Sequence, residues 1–253
     1  MQIPSNKQYL ANKMVTEKRS FLQKLWHTSK RIVLILFLSS LLYLILCRWM
    51  MPPITITQID NSFSYGLKRN YTSWNNISYN VKLAAIASED QAFPDHNGFD
   101  WDAIEKSLKP KKKKKKTKIP LGGAASTISQ QTAKNVFLWQ GNGITKYIRK
   151  APEFYFTFLS ELIWGKRRIL EVYLNVIEMG PGIFGIEAAA QQYFHKSAKD
   201  LTREEAAKII ACLPNPKKFS VVPASVRVNW RYPQILQQMR NIEDDEDIQA
   251  IIK

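Results

Sequence analysis

Ser126-Thr127-Ile128-Ser129-Gln130-Gln131-Thr132-Ala133-Lys134-Asn135 is the stretch from which the rest of the chain can be read. Thr127 and Gln130 stand three apart, the spacing of a capping box, in which each side chain covers a backbone N–H of the other residue. The helix they open should reach about Leu138 and carry Gln131, Lys134 and Asn135 on one face. Gly122-Gly123-Ala124-Ala125 leads into it. A helix start of this kind offers free N–H groups and a positive dipole, which suit a phosphate. No Gly-Lys-Ser/Thr follows the glycines, so this is not a P-loop. Taken alone, an ordinary capped helix accounts for it.

Helical spacing continues on both sides. Ile77, Val81, Ala84 and Ala85 mark a helix up to Glu89, and Asp100 is placed to cap a short one carrying Ile104 and Leu108. Apolar helices are expected over 145–164 and 166–178, and a small-residue helix over 186–194. Thr202-x-x-Glu205 opens another, closed by Leu213-Pro214-Asn215-Pro216. Few stretches alternate as strands do, so the fold class is mostly α.

The 253 residues hold 37 Lys and Arg against 21 Asp and Glu, a net charge of +16. Such an excess suggests nucleic acid, but its placement argues otherwise. Residues 1–31 hold seven cations against Glu17, and 109–118 holds eight lysines without an acid; together these account for all but +2. Residues 32–47 (IVLILFLSSLLYLILC) carry no charge. With Arg48, Trp49, Met50 and Met51 at the interface before Pro52-Pro53, the segment 32–51 reads as an uncleaved transmembrane helix. A signal peptide is the competing reading, but the 31-residue leader and the absence of a small-residue cleavage site speak against it. The leader 1–31 is then cytoplasmic, 52–74 is a linker, and the domain over 75–240 lies outside the membrane, followed by an acidic tail at 241–253. Nucleic acid is excluded as a partner, and the lipid bilayer is expected as one. The lysine run 111–116 is either a solvated loop or a membrane-surface contact.

Three polar groups could carry chemistry. In Ser88-Glu89-Asp90-Gln91-Ala92-Phe93-Pro94-Asp95-His96-Asn97-Gly98, Glu89 and Asp90 end an alanine-rich helix, where partial desolvation raises a carboxyl pKa and suits it to proton transfer. Arg149, Lys150 and Glu153 form an i, i+1, i+4 group, and Glu171 and Asn175 are four apart. Separately each is an ordinary helix surface. Together they give carboxylates and fixed cations beside a membrane, a set fit for a substrate that is both lipid and phosphate.

These residues resemble the family 51 glycosyltransferases, the peptidoglycan polymerases that extend glycan strands from lipid II. Five motifs stand in the family's order over about 75–220. They are Glu89-Asp90-x-x-Phe93-x-x-His96-x-Gly98; Ser126-Thr127-Ile128-Ser129-Gln130-Gln131-x-x-Lys134-Asn135; Arg149-Lys150-x-x-Glu153; Lys166-x-x-Ile169-Leu170-Glu171-x-Tyr173-Leu174-Asn175 with Gly180, Gly185, Ala189 and Tyr193-Phe194; and Leu201-Thr202-x-x-Glu205-Ala206-Ala207 through Leu213-Pro214-Asn215-Pro216. The resemblance implies a lysozyme-like glycosyltransferase domain with a membrane-proximal jaw. It assigns Glu89 as the general base and Glu153 as a second essential carboxylate. Asp90, Phe93, His96, Ser126, Thr127, Gln130, Gln131, Lys134, Asn135, Arg149 and Lys150 would bind substrate. Glu171 and Asn175 would be structural.

It also implies lipid II and the growing strand as substrates, with undecaprenyl pyrophosphate leaving under inversion. Other cell-wall synthesis proteins are open as partners. No organic cofactor is implied, and Mg²⁺ or Mn²⁺ near Glu89 and Glu153 is left open. The setting would be the bacterial inner membrane, with the catalytic domain in the periplasm. Neither the Ser-x-x-Lys nor the Lys-Thr-Gly motif of a transpeptidase occurs, so the monofunctional branch of the family fits best. Two departures stand out. Ala124-Ala125 intervenes where the family usually has a glycine, and Pro152 falls inside the Arg-Lys-x-x-Glu motif, so either a helix begins there or Glu153 is displaced. The competing functions are a lytic glycosidase acting on the same polymer and a membrane-anchored scaffold with a decayed site.

Overall fold

The structure, a computed structural model, describes residues 6–108, 126–141 and 143–253. The lysine run and Gly122 to Ala125 lie outside the described residues. Two units are distinct, 1–49 and 50–253.

The first unit is one helix, α1 (Asn6–Leu46), which takes up much of the basic leader as well as the apolar segment. Its part Gln23–Leu46 is long and apolar enough to cross a membrane, with a mean hydropathy of 1.9. The helix ends before Pro52-Pro53: Arg48 N donates to Ile45 O and Trp49 N to Leu46 O, tightening the chain into a turn after Leu46.

The second unit is mostly helical. In chain order it holds α2 (Ile56–Tyr65), β1 (Lys68–Arg69), α3 (Tyr79–Glu89), α4 (Trp101–Leu108), α5 (Ile128–Phe137), α6 (Thr145–Ile148), α7 (Lys150–Trp164) and α8 (Lys166–Val176). Then follow β2 (Glu178–Gly180), β3 (Ile183–Phe184), α9 (Ile186–Phe194), α10 (Arg203–Ala211), α11 (Val226–Ile242) and α12 (Glu246–Ile252). The strands form a small sheet ordered β1-β3-β2, with β1 parallel and β2 antiparallel to β3.

Helix α3 is the centre. Every residue from Val81 to Ala87 is buried; all are small or apolar except Lys82, whose ammonium lies over the Trp74 ring, and α10 and α11 pack against the helix. Ser78 caps its start by accepting from Val81 N. A second layer packs α5 on α7 and α8, with Ile128, Ile169, Leu170 and Tyr173 fully buried. The expected capping boxes are present at Thr127/Gln130 and Thr202/Glu205, and a third occurs at Thr55/Gln58.

Three elements differ from the sequence reading. The segment 52–74, read as a linker, holds α2 and β1, because Thr55 and Gln58 cap a helix there and Lys68–Arg69 pair with β3. The helix expected over 145–164 is two, broken at Arg149. Pro152 has no N–H to give to Ile148 O and its ring crowds that carbonyl, so α6 ends at Ile148 and α7 restarts at Lys150. Pro152 thereby falls in a first turn, where its missing donor costs nothing. The acidic end, read as a tail, forms α12. Asp245 accepts from Asp247 N and Ile248 N, and Ile248 and Ile252 are buried.

Candidate active site

Glu89 stands at the last residue of α3, half-buried. Both carboxylate oxygens are held by neutral donors: Ser88 Oγ donates to Oε1 at 3.3 Å and Gln131 Nε2 to Oε2 at 3.1 Å. Burial pushes the Glu89 pKa up; the bonds from Gln131 and Ser88 and the charge of Arg231 oppose this, and the Asp90 charge adds to it. A carboxyl tuned this way accepts a proton more readily than an ordinary glutamate.

Asp90 serves a different purpose. Its Oδ2 accepts from Ile128 N at 2.9 Å, tying the end of α3 to the start of α5, where a carboxylate also suits the helix dipole. His96 Nε2 lies 3.0 Å from Asp90 Oδ1. Gly98 N donates to His96 Nδ1 at 3.1 Å, which leaves the ring proton on Nε2, directed at Asp90. Thr127 Oγ1 donates to Gly98 O at 2.7 Å, and Phe93 is fully buried beside His96. Gly98 has a φ of +90°, and a Cβ there would meet Thr157 Cγ2 at 2.8 Å, so no other residue fits. Lys166 braces the loop, with Nζ bonded to His96 O and to Glu161 Oε1 and set over the Phe93 ring. Asp90, Phe93, His96, Thr127 and Gln130 thus frame Glu89.

On α5, Gln131 bonds Glu89, and Lys134 feels its charge. The Lys134 pKa is lowered, first by burial and then by the Arg149 charge; Glu153 raises it, Lys150 lowers it, and Glu89 raises it. That one ammonium therefore couples Glu89 to the Arg149–Lys150–Glu153 group. Asn135 is engaged elsewhere, donating to Gln131 O and accepting from Gln140 Nε2, and the Ser126 carbonyl accepts a long 3.5 Å bond from Gln131 Nε2.

The cation group sits where α7 begins. Glu153, 3% exposed, accepts from Lys150 Nζ at 2.6 Å and pairs with Arg149 Nη2 at 3.6 Å. Pro152 has not displaced it: Glu153 N donates to Arg149 O as in a regular first turn. Arg149 is itself buried, and its Nε and Nη1 have no hydrogen-bond partner, nor has Glu153 Oε2. Buried donors without acceptors are costly unless a ligand completes them. Glu171 and Asn175 hold the backbone of 72–74, accepting from Trp74 N at 2.8 Å and Thr72 N at 2.7 Å.

Two residues were given no role by the sequence. Tyr173, within a quoted motif, donates to Gln131 Oε1 at 3.3 Å. Arg231 reaches Ser88 from α11, 143 residues away, and no local pattern announces it.

A carboxylate with a raised pKa on the same helical domain as a buried group of cations is an arrangement suited to group transfer from a substrate with an anionic leaving group. Residues 56–240 match the family profile described as Transglycosylase. The chain is 44% identical over 217 residues to the biosynthetic peptidoglycan transglycosylase of Shewanella oneidensis, covering 84% of this chain and 90% of that protein. With the one of Bdellovibrio bacteriovorus it shares 43% over 225 residues (85% and 87%), and with that of Haemophilus influenzae strain Rd 42% over 231 (88% and 91%). The chain belongs to the transglycosylase family.

Proposed function

We propose that this chain uses Glu89 to polymerise lipid II into glycan strands. As a biosynthetic peptidoglycan transglycosylase it makes strands and carries no transpeptidase motif. Glu89 takes the proton of the acceptor sugar 4-hydroxyl, which is too weak a nucleophile without a positioned base. That oxygen attacks the anomeric carbon of the growing strand from the face opposite the pyrophosphate. The new C–O bond forms as the bond to undecaprenyl pyrophosphate breaks, inverting the centre. The leaving group departs with the bonding pair and gains negative charge, which Lys134, Arg149 and Lys150 offset.

The observation that carries this reading is that α5, whose Gln131 bonds Glu89, packs on α7, at whose start buried Arg149 holds two unpartnered nitrogens; Lys134 on α5 feels the charges of both sides. A divalent ion is compatible with these residues. Among the described residues no three His, Cys, Asp or Glu side chains cluster as a metal cage. Ions of the Mg²⁺ type are commonly held by one or two carboxylates with substrate phosphates. Oε2 of Glu153, which has no hydrogen bond and only the 3.6 Å ion pair with Arg149 Nη2, would supply the carboxylate, and the ion, when bound, would add neutralising charge at the pyrophosphate.

Helix α1 supports a membrane anchor with its basic end in the cytoplasm and the catalytic unit in the periplasm. Exposed Phe154, Phe158 and Leu162, four apart on α7, support work against a bilayer.

A lytic glycosidase is the competing reading. It normally works with two carboxylates flanking the bond. Asp90, the neighbour of Glu89, is committed to His96 and Ile128 N, which favours the polymerase. Purified protein is offered labelled lipid II and, separately, finished glycan. Chain growth from lipid II alone is expected; fragments released from glycan without growth would reverse the assignment.

A further inference from the structure

Behind Glu89 lies a buried cation outside the group proposed to face the pyrophosphate. Arg231, 5% exposed, directs Nη2 at Ser88 O (3.5 Å) and Ser88 Oγ (3.4 Å), while Nη1 donates to Gln234 Oε1 at 3.3 Å. Arginine has donors only, so Ser88 Oγ accepts from it. The serine proton is then free to point at Glu89 Oε1, 3.3 Å away. The contact runs one way, from guanidinium to hydroxyl to carboxylate.

We propose that Arg231 is a positioning residue for the glycosyl transfer: acting through Ser88, it orients Oε1 of Glu89 and holds a fixed positive charge one residue behind the base. This rests on Glu89 being the base.

The indirect arrangement has a chemical use. A direct arginine–carboxylate pair lowers a carboxyl pKa by about 1–3 units and makes a poorer base. With no counter-charge at all, desolvation would favour the protonated carboxyl, the form that cannot accept. With a serine between, the cation opposes desolvation without capping the oxygen that must take the proton. The charged and titratable groups that act on Glu89 or feel it are Asp90 beside it, Lys134 on α5, Tyr173 on α8, Cys212 after α10 and Arg231 on α11. Of the two cations, Lys134 is proposed to meet substrate; Arg231 is held against Ser88.

The test is the pH profile of kcat/KM for lipid II polymerisation in the full chain, for wild type, Ser88→Ala, Arg231→Gln and Glu89→Gln. Both relay variants should move the acidic limb to higher pH, Ser88→Ala by about one unit, because each removes something that favours ionised Glu89. A role in packing alone would lower the plateau and leave the limb in place. Ser88→Ala keeps the buried arginine, so it carries the test should Arg231→Gln fail to fold. An unmoved limb in Ser88→Ala, or in folded Arg231→Gln, overturns the proposal while Glu89→Gln is inactive. An active Glu89→Gln would instead overturn the assignment of the base.

Discussion

Gln131 gives Glu89 Oε2 a hydrogen bond at 3.1 Å through an amide whose own oxygen is fixed by Tyr173. Burial, and then the charge of Glu89, push the Tyr173 hydroxyl well above its ordinary range, so it stays protonated and donates. The amide is thereby oriented with its NH₂ toward the Glu89 carboxylate.

Replacing Gln131 by Leu should lower kcat about 10- to 100-fold with little change in KM, the range expected for a lost hydrogen bond to a charged group. Tyr173→Phe frees the amide without removing it and should cost less than about tenfold. Steady-state kinetics on lipid II separates the two; a Tyr173→Phe loss as large as that of Gln131→Leu would show that the amide is not the link.

Glu89→Gln should raise the melting temperature at neutral pH. The folded-state pKa of Glu89 is raised, so folding is most favourable when the carboxyl is protonated. Stability from this group is present below the unfolded pKa and falls as pH rises toward the folded one. The glutamine variant escapes that loss, so its advantage should shrink as pH drops below the ordinary carboxylate range. Paired thermal melts across pH check this, and an advantage that grows with acidity would oppose it.

Lys134 should set an alkaline limit on substrate binding. Burial, then Arg149, hold its pKa below that of an ordinary lysine. As pH rises through that lowered value the ammonium loses its proton and KM for lipid II should climb. Lys134→Arg, which stays charged, should move this rise to higher pH, whereas Lys134→Met should show high KM throughout. A KM profile identical in wild type and Lys134→Arg would remove Lys134 from the cation set.

Arg149 and Lys150 should not be equal. Arg149 is buried with two unpartnered nitrogens, whereas the Lys150 side chain is 57% exposed and already bonded to Glu153. An exposed ion pair is worth about 0–1 kcal/mol, while a buried charge-assisted bond is worth about 1.5–3 kcal/mol. Arg149→Gln should therefore raise KM roughly 10-fold or more and Lys150→Gln several-fold at most. The reverse order would place the pyrophosphate on the exposed lysine.

What could be read from the sequence was what is local. Thr127 and Gln130 announced their capping box because both partners lie within one turn, and the same holds for Thr202 and Glu205. The alanine-rich run before Glu89 signalled a buried helix end, and Pro152 marked the break whose position the backbone then fixed. The contacts that make a site lie farther apart. Asp90 meets Ile128 N across 38 residues, and Arg231 meets Ser88 across 143. Glu171 and Asn175 could be placed on one helix face by spacing, but not opposite the backbone of 72–74. The last residues looked like a tail because the seven-residue α12 offers only Ile248 and Ile252, four apart, as a buried pair.

The assignment of Glu89 as the base is tested most directly by one experiment. Purified Glu89→Gln, folded by thermal melting, is given labelled lipid II, and glycan strands are counted beside the wild type. Binding of lipid II with no strand growth at any pH is the predicted result. Strand growth at the wild-type rate would contradict it and move the base elsewhere.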